Sequence, residues 1–267
     1  MNFLPRQLIA SWQGVRTSYC VIDNTKRILR LVKPEWAAVQ TAEGVGDLLK
    51  TKYPHLEIVG FDHNSDIRSV REFAEAIDDM LNAYPEVVLT KVSITKPPPG
   101  MKGAWAWATP SPTSGGNMSA SIDLNADMAA DWPGCCQAMQ NEVVNNWAFG
   151  DPSRPVYSAI VHEFGHAVDF AALKSLREKE AMHEETKRVL LDLWYNTAAD
   201  VQYGTWLRGQ MSKYSFLDPN EEYSDVDAEE VHPFEVLAEA FTDVELNGDN
   251  ARETSKALHK LMKDSLP

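Results

Sequence analysis

The run VYSAIVHEFGHAVDF, residues 156–170, is almost wholly apolar, yet it carries two histidines, a glutamate and an aspartate. His162 and His166 are four residues apart, so on an α-helix their imidazoles lie on one face and point at one place. Glu163 sits about 100° further round the helix, beside that place without competing for it. Pro152 and Pro155 allow a helix to start near Pro155, and Val156, Ile160, Val161, Phe164, Val168 and Phe170 leave that helix no solvent face. Polar groups in such a helix need partners, because a buried donor or charge without one is costly. Read as packing alone, the run is a core helix with two hydrogen-bonded histidines. Read as chemistry, it is the HExxH pattern, in which two neutral imidazoles hold one Zn²⁺ per chain and the glutamate takes a proton from water. Gly165 costs about 1 kcal/mol against alanine in a helix interior, which predicts that another backbone passes close by.

A catalytic zinc takes three protein ligands and keeps one position open, so the two histidines need a third partner. HPFEVLAEAF, residues 232–241, offers Glu235 and Glu239 four apart on one face of an otherwise apolar helix that Pro233 can start. One glutamate can bind the metal while the other accepts the N–H of a ligating imidazole. Glu235 is assigned to the zinc and Glu239 to the imidazole behind it, with Asp169 as a further supporting carboxylate. The competing reading makes both glutamates surface residues of an amphipathic helix.

The rest of the chain sets bounds on this chemistry. Its 267 residues, 44% of them hydrophobic, can bury the core of one large domain, or of a domain with a smaller lobe. A formal charge of −14 argues against nucleic acid or an anionic membrane as partner, since both need cationic contacts. The N-terminus lacks a signal-like apolar core and no stretch approaches 18 apolar residues, so a cytoplasmic or virion-associated protein is expected. Cys20, Cys135 and Cys136 are an odd count without CxxC spacing, which predicts free thiols.

Along the chain, residues 1–60 form a segment without a motif, expected to pack on a main domain at 61–267, and HLEIVGF at 55–61 reads as a strand. Ile67, Val70, Phe73, Ile77 and Leu81 recur at helical spacing up to the Tyr84–Pro85 break. VVLTKVSI at 87–94 and GAWAW at 103–107 read as strands, and TPSPTSGG at 109–116 as a turn. MSASIDLN at 118–125 alternates, with Ser119, Ser121, Asp123 and Asn125 on its polar face. Such a strand reads either as a sheet edge able to pair with an extended peptide through Ser121, Asp123 and Asn125, or as an ordinary half-exposed strand. Trp132, Trp147 and Phe149 are expected to pack near the loop before the HExxH helix. Residues 177–196 read as a charged helix with His183 at its surface, residues 218–233 as an exposed acidic loop, and 234–246 and 250–263 as two closing helices around an Asn247-Gly248 turn. The fold class is α+β, with a small twisted mixed sheet packed on the HExxH helix and a mainly helical C-terminal part.

HEFGHAVDF at 162–170 followed by FEVLAEAF at 234–241 resembles the zincin metallopeptidases of the lethal-factor and Pro-Pro-endopeptidase type, a gluzincin-like group that also occurs as domains of phage-encoded proteins. The resemblance covers roughly residues 60–265 and rests on those two motifs. It implies a zincin-like fold, hydrolysis of a peptide or protein substrate, His162, His166 and Glu235 as zinc ligands, and Glu163 as general base. It also implies a tyrosine that holds the oxyanion, from a stretch resembling S-x-Y-A-x-x-N-x-x-E. Seven residues before Glu235 stands Ala228, so Tyr214 in MSKYS and Tyr223 in EEYSD are the two counterparts, and His232 is a further candidate donor. A second alignment of this region offers Glu221 and Asp225 in place of Glu235 and Glu239. The alternative function is a catalytically silent zincin-like structural or interaction module that holds metal for stability alone.

Overall fold

The computed structural model describes residues 32–101, 103–113, 118–173, 176–216 and 231–267. Cys20, Glu221, Tyr223, Asp225 and Ala228 lie outside the described residues, as does most of the acidic 218–233 segment. No described helix is long and apolar enough to cross a membrane.

The order of elements is α1 (Pro34–Ala38), α2 (Ala42–Lys52), β1 (Glu57–Val59), α3 (Ile67–Ala83), β2 (Leu89–Thr95), β3 (Ala106–Pro112), β4 (Met118–Asn125), α4 (Ala126–Ala130), α5 (Trp132–Val144) and α6 (Pro155–Ala171). They are followed by α7 (Leu176–Thr197), α8 (Tyr203–Gln210), a 3₁₀ turn (Lys213–Ser215), α9 (Pro233–Asn247) and α10 (Glu253–Asp264). The class is α+β, with a four-stranded mixed sheet in the order β1-β2-β4-β3. β1 runs parallel to β2 and β2 to β4, while β3 is antiparallel to β4. β1, within the 1–60 segment, is thus one edge of the sheet.

The helix predicted from the 67–81 periodicity is α3. Asp66 caps it, accepting from the Arg68 amide at 2.9 Å, and Val70, Phe73 and Ile77 are fully buried. α6 starts at Pro155 as the sequence implies, and its central position follows from its neighbours: β3 and β4, α3, α5 and α9 all pack against it. Where a Cβ would sit on Gly165, the Ala238 Cα of α9 is 3.0 Å away, which is the close backbone approach that the glycine foretells.

Two readings of the sheet are corrected. TPSP at 109–112 is strand rather than turn: it completes β3, and Pro110 and Pro112 are tolerated because an edge strand can forgo a ladder donor. MSASIDLN is a strand as predicted but not an edge, since β2 and β3 flank it on both sides. Three of the four residues on its polar face are spent on structure. Asp123 accepts from the Ser93 hydroxyl, Asn125 donates to the Ala104 carbonyl at 2.9 Å and accepts from the Asp127 amide at 3.0 Å, and Ser119 donates to the Ser111 carbonyl at 3.0 Å. The assignment of Ser121, Asp123 and Asn125 to substrate required a free edge at β4; among the described residues the edge on that side is β3.

Candidate metal centre

The N-terminus of α6 is held from a distance. Arg154, its N-cap, makes no side-chain cap. Instead the buried Glu72 of α3 accepts from the Val156 and Tyr157 amides at 3.0 and 3.1 Å and from the Trp132 indole at 2.7 Å. Beside it, Arg154 and Glu75 form a buried ion pair at 2.9 Å. Two of the orphan donors of the helix start are thereby satisfied, which fixes the helix that carries His162, Glu163 and His166.

α9 crosses this helix at Gly165 and brings Glu235 and Glu239 to the histidines. Glu235 Oε2 lies 3.1 Å from His162 Nε2 and 3.6 Å from His166 Nε2, and donor atoms of the three residues all fall within 4.8 Å of one another. Ligand atoms bound tetrahedrally at about 2.0–2.1 Å from a zinc are separated by about 3.3 Å. The carboxylate-to-imidazole spacings bracket that value, so the donors present fit a small divalent cation.

The other nitrogen of His162 is also engaged: Nδ1 is 3.0 Å from Glu239 Oε1. Glu239 is buried, and its second oxygen accepts from the Phe149 amide at 2.8 Å. One glutamate thus faces the outer nitrogen of His162 and the other holds the inner one, an arrangement that would leave the lone pair on Nε2 if a cation took the place of the proton. Burial pulls the His162 pKa down, but hydrogen bonds and charge from Glu235 and Glu239 overcome it and hold the pKa well above the usual range. Burial works the opposite way on Glu235, and its two histidine partners more than offset it, leaving the carboxyl well below the carboxylate range.

Tyr214 completes the cluster. Its ring stands edge-on to His162 with centroids 5.9 Å apart. The loop after α5 places it: the Lys213 amide donates to the Asn146 carbonyl at 2.8 Å, the Tyr214 amide to the Trp147 carbonyl at 3.1 Å, and the Asn146 side chain to the Met211 carbonyl at 3.1 Å. Asn146 takes a left-handed conformation (φ 56°) to end α5 and turn the chain there. Desolvation, and after it the charges of Glu235, Glu163 and Glu239, push the Tyr214 hydroxyl up to about 12, so it remains a proton-bearing donor at neutral pH.

A cavity of about 380 Å³ opens beside the cluster, with His162, Glu163, Glu239 and Tyr214 in its wall. Trp105, Met139, Glu142, Trp147 and Phe149 form much of the remainder. Trp147 and Phe149 therefore line the cavity as well as pack, and Glu142 is a site residue that periodicity and motif spacing do not mark.

Of the residues singled out in the sequence, His162, Glu163, His166, Tyr214, Glu235 and Glu239 come together. Asp169 is buried three residues beyond His166 but neither lines the cavity nor joins the donor cluster. His183 is half-buried rather than a surface residue, with its ring 4.4 Å from that of Phe234. Cys135 and Cys136 are buried and form no disulfide among the described residues. No family model, curated protein or solved structure matches the chain.

Proposed function

We propose that the chain is a zinc-dependent endopeptidase of the HExxH, gluzincin-like kind, with a zincin-like arrangement of sheet and helices. The observation that carries this reading is the two-layer donor set: His162, His166 and Glu235 converge on one point, and Glu239 lies behind His162 at 3.0 Å from Nδ1. A site that served stability alone would have no need of a free glutamate beside the cluster, whereas Glu163 stands in the cavity wall with no hydrogen bond or ion pair among the described residues.

His162, His166 and Glu235 would hold the zinc, which when bound lowers the pKa of a water towards about 7 and polarises a carbonyl. Glu163 takes the proton of the attacking water and returns it to the leaving amine. The Tyr214 hydroxyl, a proton-bearing donor at neutral pH as tyrosines ordinarily are, donates to the oxygen that gains negative charge. Glu239 keeps the His162 ring in one orientation. The outer side of β3, unpaired among the described residues and with its first residue Ala106 lining the cavity, is the place for an extended peptide to add by backbone hydrogen bonds.

The test is cleavage of a mixed peptide library by the zinc-loaded protein, read by mass spectrometry beside Glu163→Gln. Chelator-sensitive cleavage by the wild type and none by a variant that still binds zinc supports the reading. Zinc binding without any cleavage by the wild type leaves the structural or interaction module in its place, and equal cleavage by Glu163→Gln removes Glu163 from its role.

A further inference from the structure

The cavity has an electrostatic character that the hydrolytic machinery does not use. Three carboxylates stand in its wall, from Glu142, Glu163 and Glu239, and none of its lining residues among those described is lysine or arginine. Glu239 is fully engaged by His162 Nδ1 and the Phe149 amide. Glu163 is committed to proton transfer under the reading above. Glu142, on the last turn of α5, is left over: among the described residues no hydrogen bond or ion pair reaches its carboxylate, and it is half-buried.

The walls around Glu142 are of one kind. Trp105 comes from the strand side, Met139 from one turn earlier on α5, and Trp147 and Phe149 from the loop that follows. Indole and phenyl faces attract cations and cover alkyl chains, and a thioether packs against either. Lys213, whose ammonium lies 5.5 Å from the Trp147 ring centroid, is not one of the lining residues.

We infer that this cavity is a specificity pocket for a positively charged group of the substrate, with Glu142 pairing the charge and Trp105, Met139, Trp147 and Phe149 covering the alkyl stem behind it. The inference rests on the peptidase reading for its place in turnover, though binding alone can test it. Its size fits: about 380 Å³ lies in the range of small-ligand pockets and holds one long side chain. Burial, followed by the charge of Glu239, raises the Glu142 pKa against the opposing pull of His162, and a cation beside the carboxylate would favour its charged form. Two sources supply such a charge: a lysine or arginine side chain near the scissile bond, or the free amino terminus of the substrate.

Two measurements test this. Zinc-loaded wild type and Glu142→Gln are given matched peptides that differ only in lysine, arginine, norleucine or glutamate at each position, each with free and acetylated N-termini, and cleavage rates are compared. The expected result is at least a tenfold preference for lysine or arginine over norleucine at one position, falling towards unity in Glu142→Gln. A preference that survives acetylation identifies a side chain, and one abolished by it identifies the amino terminus. Cleavage by the wild type without preference for charge overturns the inference and leaves the peptidase standing. If the wild type cleaves nothing, the peptidase reading fails, and quenching of tryptophan fluorescence by N-acetyl-lysine amide against N-acetyl-norleucine amide decides the inference alone. Tighter lysine binding that is lost in Glu142→Gln, with the far-ultraviolet circular dichroism intact, supports it; equal binding of both amides overturns it.

Discussion

Replacing Gly165 by alanine tests whether the crossing of α6 and α9 holds the site together. The added Cβ would lie 3.0 Å from Ala238 Cα, 3.2 Å from Phe241 Cβ and 3.3 Å from Phe241 Cδ1. Favourable carbon–carbon contact needs about 3.5–4.0 Å, so α9 must retreat by roughly half an ångström, and backbone cannot rotate away as a side-chain end can. Overpacking of this kind costs about 1–3 kcal/mol. The alanine returns about 1 kcal/mol of helix propensity. The steric cost outweighs that return over most of its range, leaving a net loss of up to about 2 kcal/mol, which for a chain of this size lowers the melting temperature by up to about 8 °C. The same retreat carries Glu235 and Glu239 away from His162, where the contacts are 3.1 and 3.0 Å. Both carboxylates keep their charge, so zinc affinity falls by up to about tenfold, less than when a supporting group is deleted. Thermal unfolding and a competition titration with a chelating dye read both effects. A Gly165→Ala protein that is more stable than wild type, with zinc affinity unchanged, would refute the close crossing and the coupling drawn from it.

Further outcomes follow from other contacts. Glu239→Gln turns an amide NH₂ towards either the His162 N–H or the Phe149 N–H, both of which need an acceptor, so zinc affinity should drop about 10–100-fold in the same titration. Tyr214→Phe should lower kcat by about 10²–10³ while zinc affinity stays at the wild-type value, because the hydroxyl acts only on the charge that develops during reaction; an unchanged kcat would assign the role elsewhere. Burial raises the Glu72 pKa from 4.5 to about 7 against its hydrogen bonds. Between those values the folded chain holds a proton that the unfolded chain releases, so stability falls as pH rises through this window, by up to about 3 kcal/mol. Glu72→Gln, which resembles the protonated form, should lose that share of the pH dependence when melting temperatures are compared from pH 4.5 to 7.5.

The elements that carry the site were legible because their signals are local. HExxH spacing needs only the helical repeat, the helix start is marked by Pro155, and Gly165 shows in the sequence as a residue that a helix interior would otherwise avoid. Glu235 and Glu239 were readable for the same reason, as polar residues at one helical spacing in an apolar setting. Individual strands show in the sequence, but their order in the sheet does not. Alternation along MSASIDLN reports that one face is polar, and it cannot report whether that face meets solvent or, as with Asp123 and Ser93, a neighbouring strand. Pro110 and Pro112 read as turn residues until their strand is seen to be an edge. α5 gives little local signal because its apolar positions, Cys135, Cys136 and Met139, form only a weak stripe, and Glu142 is hidden with it. The link from Glu72 to the start of α6 spans 84 and 85 residues in sequence, beyond the reach of any local pattern.

The measurement that bears most directly on the central claim is zinc stoichiometry and affinity, by elemental analysis and chelator competition, for the wild type and Glu235→Ala. One zinc per chain is expected in the wild type and markedly weakened binding in the variant, with folding confirmed by circular dichroism. Absence of zinc from the wild type, or full retention of it by Glu235→Ala, would contradict the three-ligand centre formed by His162, His166 and Glu235.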